Sequence, residues 1–248
     1  MSNIADTCES VGLGYIPGNN NWKSYVGNIW YKIFSQYNLE KKGTLVEIAP
    51  GSVNKIGNGL KSYGFNGKLY VVEPNTKSLA TIQEQYSQIL PACIRPIKAT
   101  LKKAIPILPE KVHAIIANHP LDDMIAGKYL DKIGFDEFFD DHYDSVSPDK
   151  TRELWRRIES DPSQLQAVKQ EVSDEWNQLI ERTNPCLIII SQYESYFFRS
   201  NNIPSPDKHA FDVLNEIRIR YSNSESNICL EEYVENPSRW LVLENPLK

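Results

Sequence analysis

The sequence predicts an open α/β fold: a seven-stranded, mostly parallel sheet with helices on both faces and a helical cap insertion. Three observations point there. From Gly43 onward, short apolar runs of strand length alternate with stretches of helical periodicity. The runs are almost continuously apolar, as strands covered on both faces must be. The chain has 248 residues, 41% hydrophobic and 24% charged, with 12 Gly and 15 Pro. That is ordinary globular composition, long enough for one large core, and it excludes collagen, coiled coil and disorder.

In chain order, residues 19–39 predict an aromatic amphipathic helix, with Trp22, Tyr25, Trp30 and Tyr31 read as core. Strands are expected at Thr44–Ala49, Lys68–Glu73, Cys93–Lys98, Val112–Ala117, Cys186–Ser191, Ile228–Tyr233 and Trp240–Leu243. After the first, Val53, Ile56, Leu60 and Tyr63 share one helical face, and Gly64 stops the helix as a left-handed cap. Thr76 is placed to cap the next helix, with Leu79, Ile82, Tyr86 and Ile89 as its stripe. The 119–185 stretch is far longer than one crossover helix needs. It holds an acidic run and then a helix started by Asp161-Pro162, with Gln164 as capping partner and a stripe of Leu165, Val168, Val172, Trp176 and Leu179. The expected organisation is therefore an N-terminal helical segment over 1–42, then an α/β domain over 43–248 with a helical insertion at about 134–183 that caps the sheet's functional edge.

Charge and cysteine content narrow the function. The 27 basic and 32 acidic residues give a net charge of −5, with no dense Lys/Arg run, which argues against nucleic acid as a partner. The start, MSNIADTCES, lacks a basic apolar leader, and the longest apolar stretch, Cys186–Ile190, is too short to span a membrane. Cys8, Cys93, Cys186 and Cys229 are scattered singly, without metal-ligand spacing, and those inside strand-like runs are expected to be buried thiols. A reduced, cytoplasmic protein is expected.

In a Rossmann-like sheet the ligand sits beyond the carboxyl ends of the strands, near the reversal of strand order. The residues that count are those just after each strand. The first strand runs into Glu47-Ile48-Ala49-Pro50-Gly51, where a glycine lets backbone approach a ligand. The second runs into Glu73-Pro74-Asn75, 22 residues after Gly51, where an acceptor-only carboxylate can take both hydroxyls of a ribose. The dinucleotide fingerprint GxGxxG is not met, since Ala49-Pro50-Gly51-Ser52-Val53-Asn54 carries one glycine of three, and no GK[ST] occurs.

On these residues the chain resembles the class I S-adenosylmethionine-dependent methyltransferases, chiefly over 43–125. Val46-Glu47-Ile48-Ala49-Pro50-Gly51 keeps the acid and the last glycine of that family's first motif, Glu73 matches its ribose-binding acid, and Asn118-His119-Pro120-Leu121 stands where it has a short polar motif after the fourth strand. Ala49 replaces the first glycine, Ala99-Thr100 stands where an adenine-contacting acid is expected, and Leu121 replaces a stacking aromatic, against a nucleic-acid substrate. The resemblance implies S-adenosyl-L-methionine held by Glu47, Ala49, Pro50, Gly51, Glu73, Pro74, Asn75, Ala99, Thr100 and Asn118. It implies methyl transfer to a small-molecule or peptide acceptor, with Asn118 orienting the acceptor through its carbonyl oxygen and His119 or Asp122 taking a proton. Asp123 and Tyr193 stand behind them. A homodimer is allowed. A nicotinamide-dependent oxidoreductase and a non-catalytic nucleoside-binding module are the competing readings.

Asp136, Glu137, Asp140, Asp141 and Asp144 crowd five acids into nine residues between the fourth and fifth strands. Such like charges repel unless something positive offsets them. An acceptor with a cationic nitrogen is therefore expected, with Asp140 among its contacts. A divalent metal on Asp140, His142 and Asp144 is the rival reading.

Overall fold

The computed structural model describes residues 22–130, 147–226 and 236–247. Helix α1 (Trp22–Gln36) precedes the sheet, followed by β1 (Thr44–Ile48), α2 (Lys55–Tyr63), β2 (Lys68–Val72), α3 (Thr76–Ile89), β3 (Cys93–Ile97) and a short α4 (Leu101–Ala104). Then come β4 (Ala114–Asn118), α5 (Leu121–Leu130), α6 (Pro148–Glu159), α7 (Pro162–Thr183), β5 (Leu187–Ser191), a short α8 (Tyr196–Ser200), α9 (Ser205–Arg220) and β6 (Trp240–Glu244).

Six strands are described, in the order β3-β2-β1-β4-β5-β6, all parallel except that β6 runs antiparallel to β5. The expected strand at 228–233 lies outside the described residues. So do the acidic run 136–144, with Asp140 and His142, and Cys8 and Cys229. Residues 225–226 lie along β6, through an antiparallel bridge from Glu225 to Leu243 and an N–H of Ser226 donated to the Val242 carbonyl at 2.9 Å.

Alternation along each strand divides the core into two layers. Val46, Ile48, Val72, Ile115, Ala117, Ile188 and Ile190 face α5, α6, α7 and α9. Leu45, Leu69, Val71, Ala114, Ile116 and Ile189 face α1, α2 and α3. The chain steps outward from β1 to β3 with α2 and α3 on one face, then returns to β4 beside β1 and steps the other way with α5, α6 and α7 on the opposite face. Opposite directions on opposite faces keep one crossover hand. The reversal falls between β1 and β4. That is where a ligand is expected.

Local chemistry explains most boundaries. Gly64 ends α2 at φ 79°, as its sequence position requires. Helix α3 is capped by Asn75, whose side chain accepts from the Ser78 N–H at 2.8 Å, so the cap falls one residue before the expected Thr76. Asp161 caps α7 by accepting from the Gln164 N–H at 2.9 Å. Helix α1 presses on α2 closely enough that a Cβ on Gly59 would meet the Trp30 Cβ at 2.5 Å.

Two expectations are corrected. Cys93 and Cys186 are exposed, not buried. Cys93 opens β3, which is the edge strand among the described residues and carries Pro96, and Cys186 precedes β5. Tyr31 is 38% exposed, on the outer side of α1, whereas Trp30 is fully buried.

Candidate active site

The loops after β1 and β2 are stapled together by one carboxylate. Ala49 and Gly51 both take left-handed backbone, at φ 48° and 64°. That turn aims the Gly51 N–H at Glu73 Oε2, 3.1 Å away, while the Asn75 N–H donates to Oε1 at 2.9 Å. Burial pushes the Glu73 carboxyl up to about 7, outweighing the two amides that favour its ionised form. A carboxylate offers about four acceptor directions, and two amides leave room for a ligand's hydroxyl pair.

Glu73 forms part of the wall of a cavity of about 230 Å³ at the carboxyl ends of the strands. Of the residues expected to hold cofactor, Ala49, Gly51, Glu73, Pro74, Asn75, Ala99 and Thr100 line it. Asp123, expected at the substrate, lines it as well. Ile48, Val72, Leu101 and Met124 supply apolar surface. The remaining wall comes from residues that the sequence did not single out. Lys128 of α5 pairs with Glu175 at 2.5 Å and Glu171 at 3.1 Å, and Lys102 reaches Glu171 at 3.2 Å. Burial raises the Glu175 carboxyl despite Lys128, whereas the hydrogen bond from Lys128 lowers that of Glu171.

Glu47, Pro50 and Asn118 do not line this cavity. Glu47 points to the other face of β1, beneath α3, where the Tyr86 hydroxyl donates to its Oε1 at 2.8 Å and its Oε2 has no partner. Burial raises its carboxyl to about 8, so it is held neutral at pH 7. The Tyr86 ring fits only because Gly57 has no side chain: a Cβ there would meet ring carbon Cε1 at 2.2 Å.

A second cluster stands at the ends of β4 and β5, beside the reversal point. It brings together Asn118, His119, Asp122 and Tyr193, all singled out from sequence, and adds Lys55, Gln192, Asp207 and Trp30. His119 is left-handed at φ 59°. Its Nδ1 lies 3.0 Å from Asp122, and its Nε2 faces Asp207 at 3.6 Å, beyond hydrogen-bond length. Burial would lower the imidazole pKa, but Asp122 and then Asp207 outweigh it and hold His119 well above its ordinary value. That favours the imidazolium, which has no lone pair to take a proton. In return His119 overcomes burial and lowers the Asp122 carboxyl. The Asn118 carbonyl oxygen, expected to orient an acceptor, instead accepts from the Trp30 indole N–H at 3.1 Å and the Ser191 hydroxyl at 3.4 Å. Its amide nitrogen donates to the Tyr193 hydroxyl at 3.0 Å, and Lys55 Nζ donates to the same oxygen at 3.1 Å. Gln192 ties Asp122 to the start of α5, donating to Asp122 Oδ1 and accepting from the Leu121 N–H, each at 3.0 Å.

No protein-family model and no curated protein matches the chain. The solved structures similar to it include S-adenosylmethionine-dependent methyltransferases. One is magnesium protoporphyrin IX methyltransferase (ChlM) from Synechocystis PCC 6803 with bound S-adenosylmethionine, at 11% identity and a TM-score of 0.44, covering 97% of this chain and 93% of that one. Fibrillarin in its complex with Nop5p is similar at 11% identity and a TM-score of 0.43, covering 87% and 80%. A methyltransferase from Geobacter sulfurreducens in complex with S-adenosylhomocysteine follows at 8% identity and a TM-score of 0.38, covering 66% and 47%. The chain spans about a third, 35%, of the length of another similar structure, PH0851. At such low likeness the functional argument rests on strand order and the two sites above.

Proposed function

We propose that the chain is an S-adenosylmethionine-dependent methyltransferase whose cofactor occupies the cavity beside Glu73. The observation that carries this reading is the Glu73 carboxylate, fixed by the Gly51 and Asn75 amides in that cavity's wall, with acceptor directions left over. The fit is chemical: a carboxylate for a ribose diol, apolar Leu101 and Met124 for a base, and a glycine turn for a close approach. Bound there, S-adenosylmethionine would supply a methyl group already activated by its sulfonium. The chain then has to position the acceptor and exclude water, a proximity effect. The second cluster lies on the adjoining strand ends, and Asp123 turns toward the cavity from the helix that also carries Asp122.

The finer parts belong to the same proposal. The acceptor is a small molecule or peptide with a nucleophilic nitrogen, attracted by the acids of 136–144, Asp140 among them. Helix α7 of the insertion, which supplies Glu171 and Glu175 to the cavity, caps the functional edge. Among the described residues no helix is long and apolar enough to cross a membrane. A cytoplasmic location is part of this reading.

Thermal denaturation tests it. S-adenosylmethionine and S-adenosylhomocysteine should each raise Tm in a concentration-dependent way, and NADH should not. A rise with NADH alone would replace the methyltransferase by an oxidoreductase.

A further inference from the structure

Two hydrogen-bond donors converge on one tyrosine oxygen beside the reversal point. Lys55 Nζ stands 3.1 Å and Asn118 Nδ2 3.0 Å from the Tyr193 hydroxyl. The Asn118 amide cannot turn over to accept instead, because its oxygen already takes the Trp30 indole N–H and the Ser191 hydroxyl. A neutral phenol that accepts twice must still place its own hydrogen, and among the described residues no acceptor stands within bonding distance of it. An ionised phenol has no such requirement, and its third acceptor direction is left for a ligand. His119, whose role as a base is closed by its carboxylates, instead packs its cationic ring 4.8 Å from the Tyr193 ring.

We propose that Tyr193 is the base that removes the acceptor's proton, with Lys55 and Asn118 holding its oxygen in the accepting form and Trp30 positioning Asn118. This rests on the methyltransferase reading. The charged groups facing Tyr193 are Lys55, the first residue of α2, and His119, after β4, with Asp122 of α5 and Asp207 of α9 balancing the imidazolium. Burial alone would raise the phenol, but Lys55 and then His119 overcome it and hold Tyr193 below its ordinary value. Burial raises Tyr37, Tyr63, Tyr86 and Tyr221 instead.

With Tyr193 ionised, the cluster has three anions against two cations, a net negative charge that suits an ammonium acceptor. The ammonium's proton passes to the Tyr193 oxygen, and the nitrogen lone pair it leaves forms the new bond to the methyl carbon. The carbon–sulfur bond breaks with its electron pair staying on sulfur, giving the methylated ammonium ion, which carries the positive charge that sulfur loses, and S-adenosylhomocysteine. Tyr193 then gives its proton to solvent when the products leave.

The test uses ligand-free full-length protein and needs no known acceptor. Phenolate absorbance is followed against pH, and the protein is separately treated with benzenesulfonyl fluoride near neutral pH, with the labelled tyrosine located by mass spectrometry. One tyrosine should ionise below the ordinary value of about 10. That step should vanish in Tyr193→Phe and move back up in Lys55→Met, and Tyr193 should be the tyrosine labelled. An unchanged titration in Tyr193→Phe overturns the proposal. So does a low step without labelling, because a sealed phenolate cannot meet an acceptor. Calorimetry with S-adenosylmethionine separates the two readings. Binding with an ordinary Tyr193 overturns only the base, and a reactive Tyr193 without binding overturns the cofactor reading.

Discussion

Ala49 holds a left-handed backbone, φ 48°, at the end of β1, and His119 does the same, φ 59°, at the end of the neighbouring β4. Non-glycine residues pay roughly 1–2 kcal/mol for that conformation. Strain of this kind persists where the surroundings over-determine it, commonly at functional sites. Ala49→Gly should therefore leave stability unchanged or raise it by up to about 1 kcal/mol, whereas β-branched Ala49→Val should cost more than about 1 kcal/mol. Denaturant midpoints measure both, and equal effects would remove the strain argument. At this scale the sequence was most informative just after the strands. Gly51, Glu73 and Thr100 could be placed because strand ends in such a sheet face a ligand. The clamp on His119 was not legible, because Asp207 arrives from a distant helix and only tertiary packing brings it within 3.6 Å.

Between elements, the link from β1 to α3 is a neutral acid. Glu47 has its carboxyl raised to about 8 by burial and shares a hydrogen bond with Tyr86 of α3. A raised acid binds its proton more tightly in the folded protein than in the unfolded chain. Its stabilising contribution is fully present below its ordinary value, near 4.5, and is lost as pH rises toward 8. Ligand-free protein should thus lose stability between those values, by up to about 1.4 kcal/mol per pH unit from this group. Glu47→Gln keeps an acceptor for the Tyr86 hydroxyl and cannot titrate, so it should flatten that slope in thermal denaturation at a series of pH values. An unchanged slope would mean that Glu47 is ionised at neutral pH. Element types were legible because strand runs and helical stripes differ in period, and β1, β2, β3 and β5 start or end within a residue of expectation. The part of α7 in the cavity was not. Glu171 and Glu175 lie off the apolar stripe of that long helix, and only their pairing with Lys128 of α5 draws them to the cavity.

Across the whole molecule, the N-terminal helix belongs to the same core as the sheet. Val26, Ile29, Trp30, Ile33 and Phe34 are all at most 2% exposed. Burying five such side chains contributes about 10 kcal/mol, comparable with the net stability of a domain. Deleting 1–42 should leave a chain that does not fold on its own, read as lost near-ultraviolet circular dichroism or as aggregation. A well-folded 43–248 fragment would show that the segment only decorates the domain. Trp30 also carries the helix's influence to the site through Asn118 and Tyr193, a long-range link that no local pattern could reveal. The central claim, that Glu73 marks a nucleoside-type cofactor site, is tested most directly by titrating S-adenosylhomocysteine into wild-type and Glu73→Ala protein by calorimetry. Hydrogen bonds to a charged group are worth about 1.5–3 kcal/mol, so one site per chain should bind in the wild type and weaken roughly 10- to 100-fold in the variant. No heat of binding in the wild type, or equal affinity in a folded Glu73→Ala, would contradict the account.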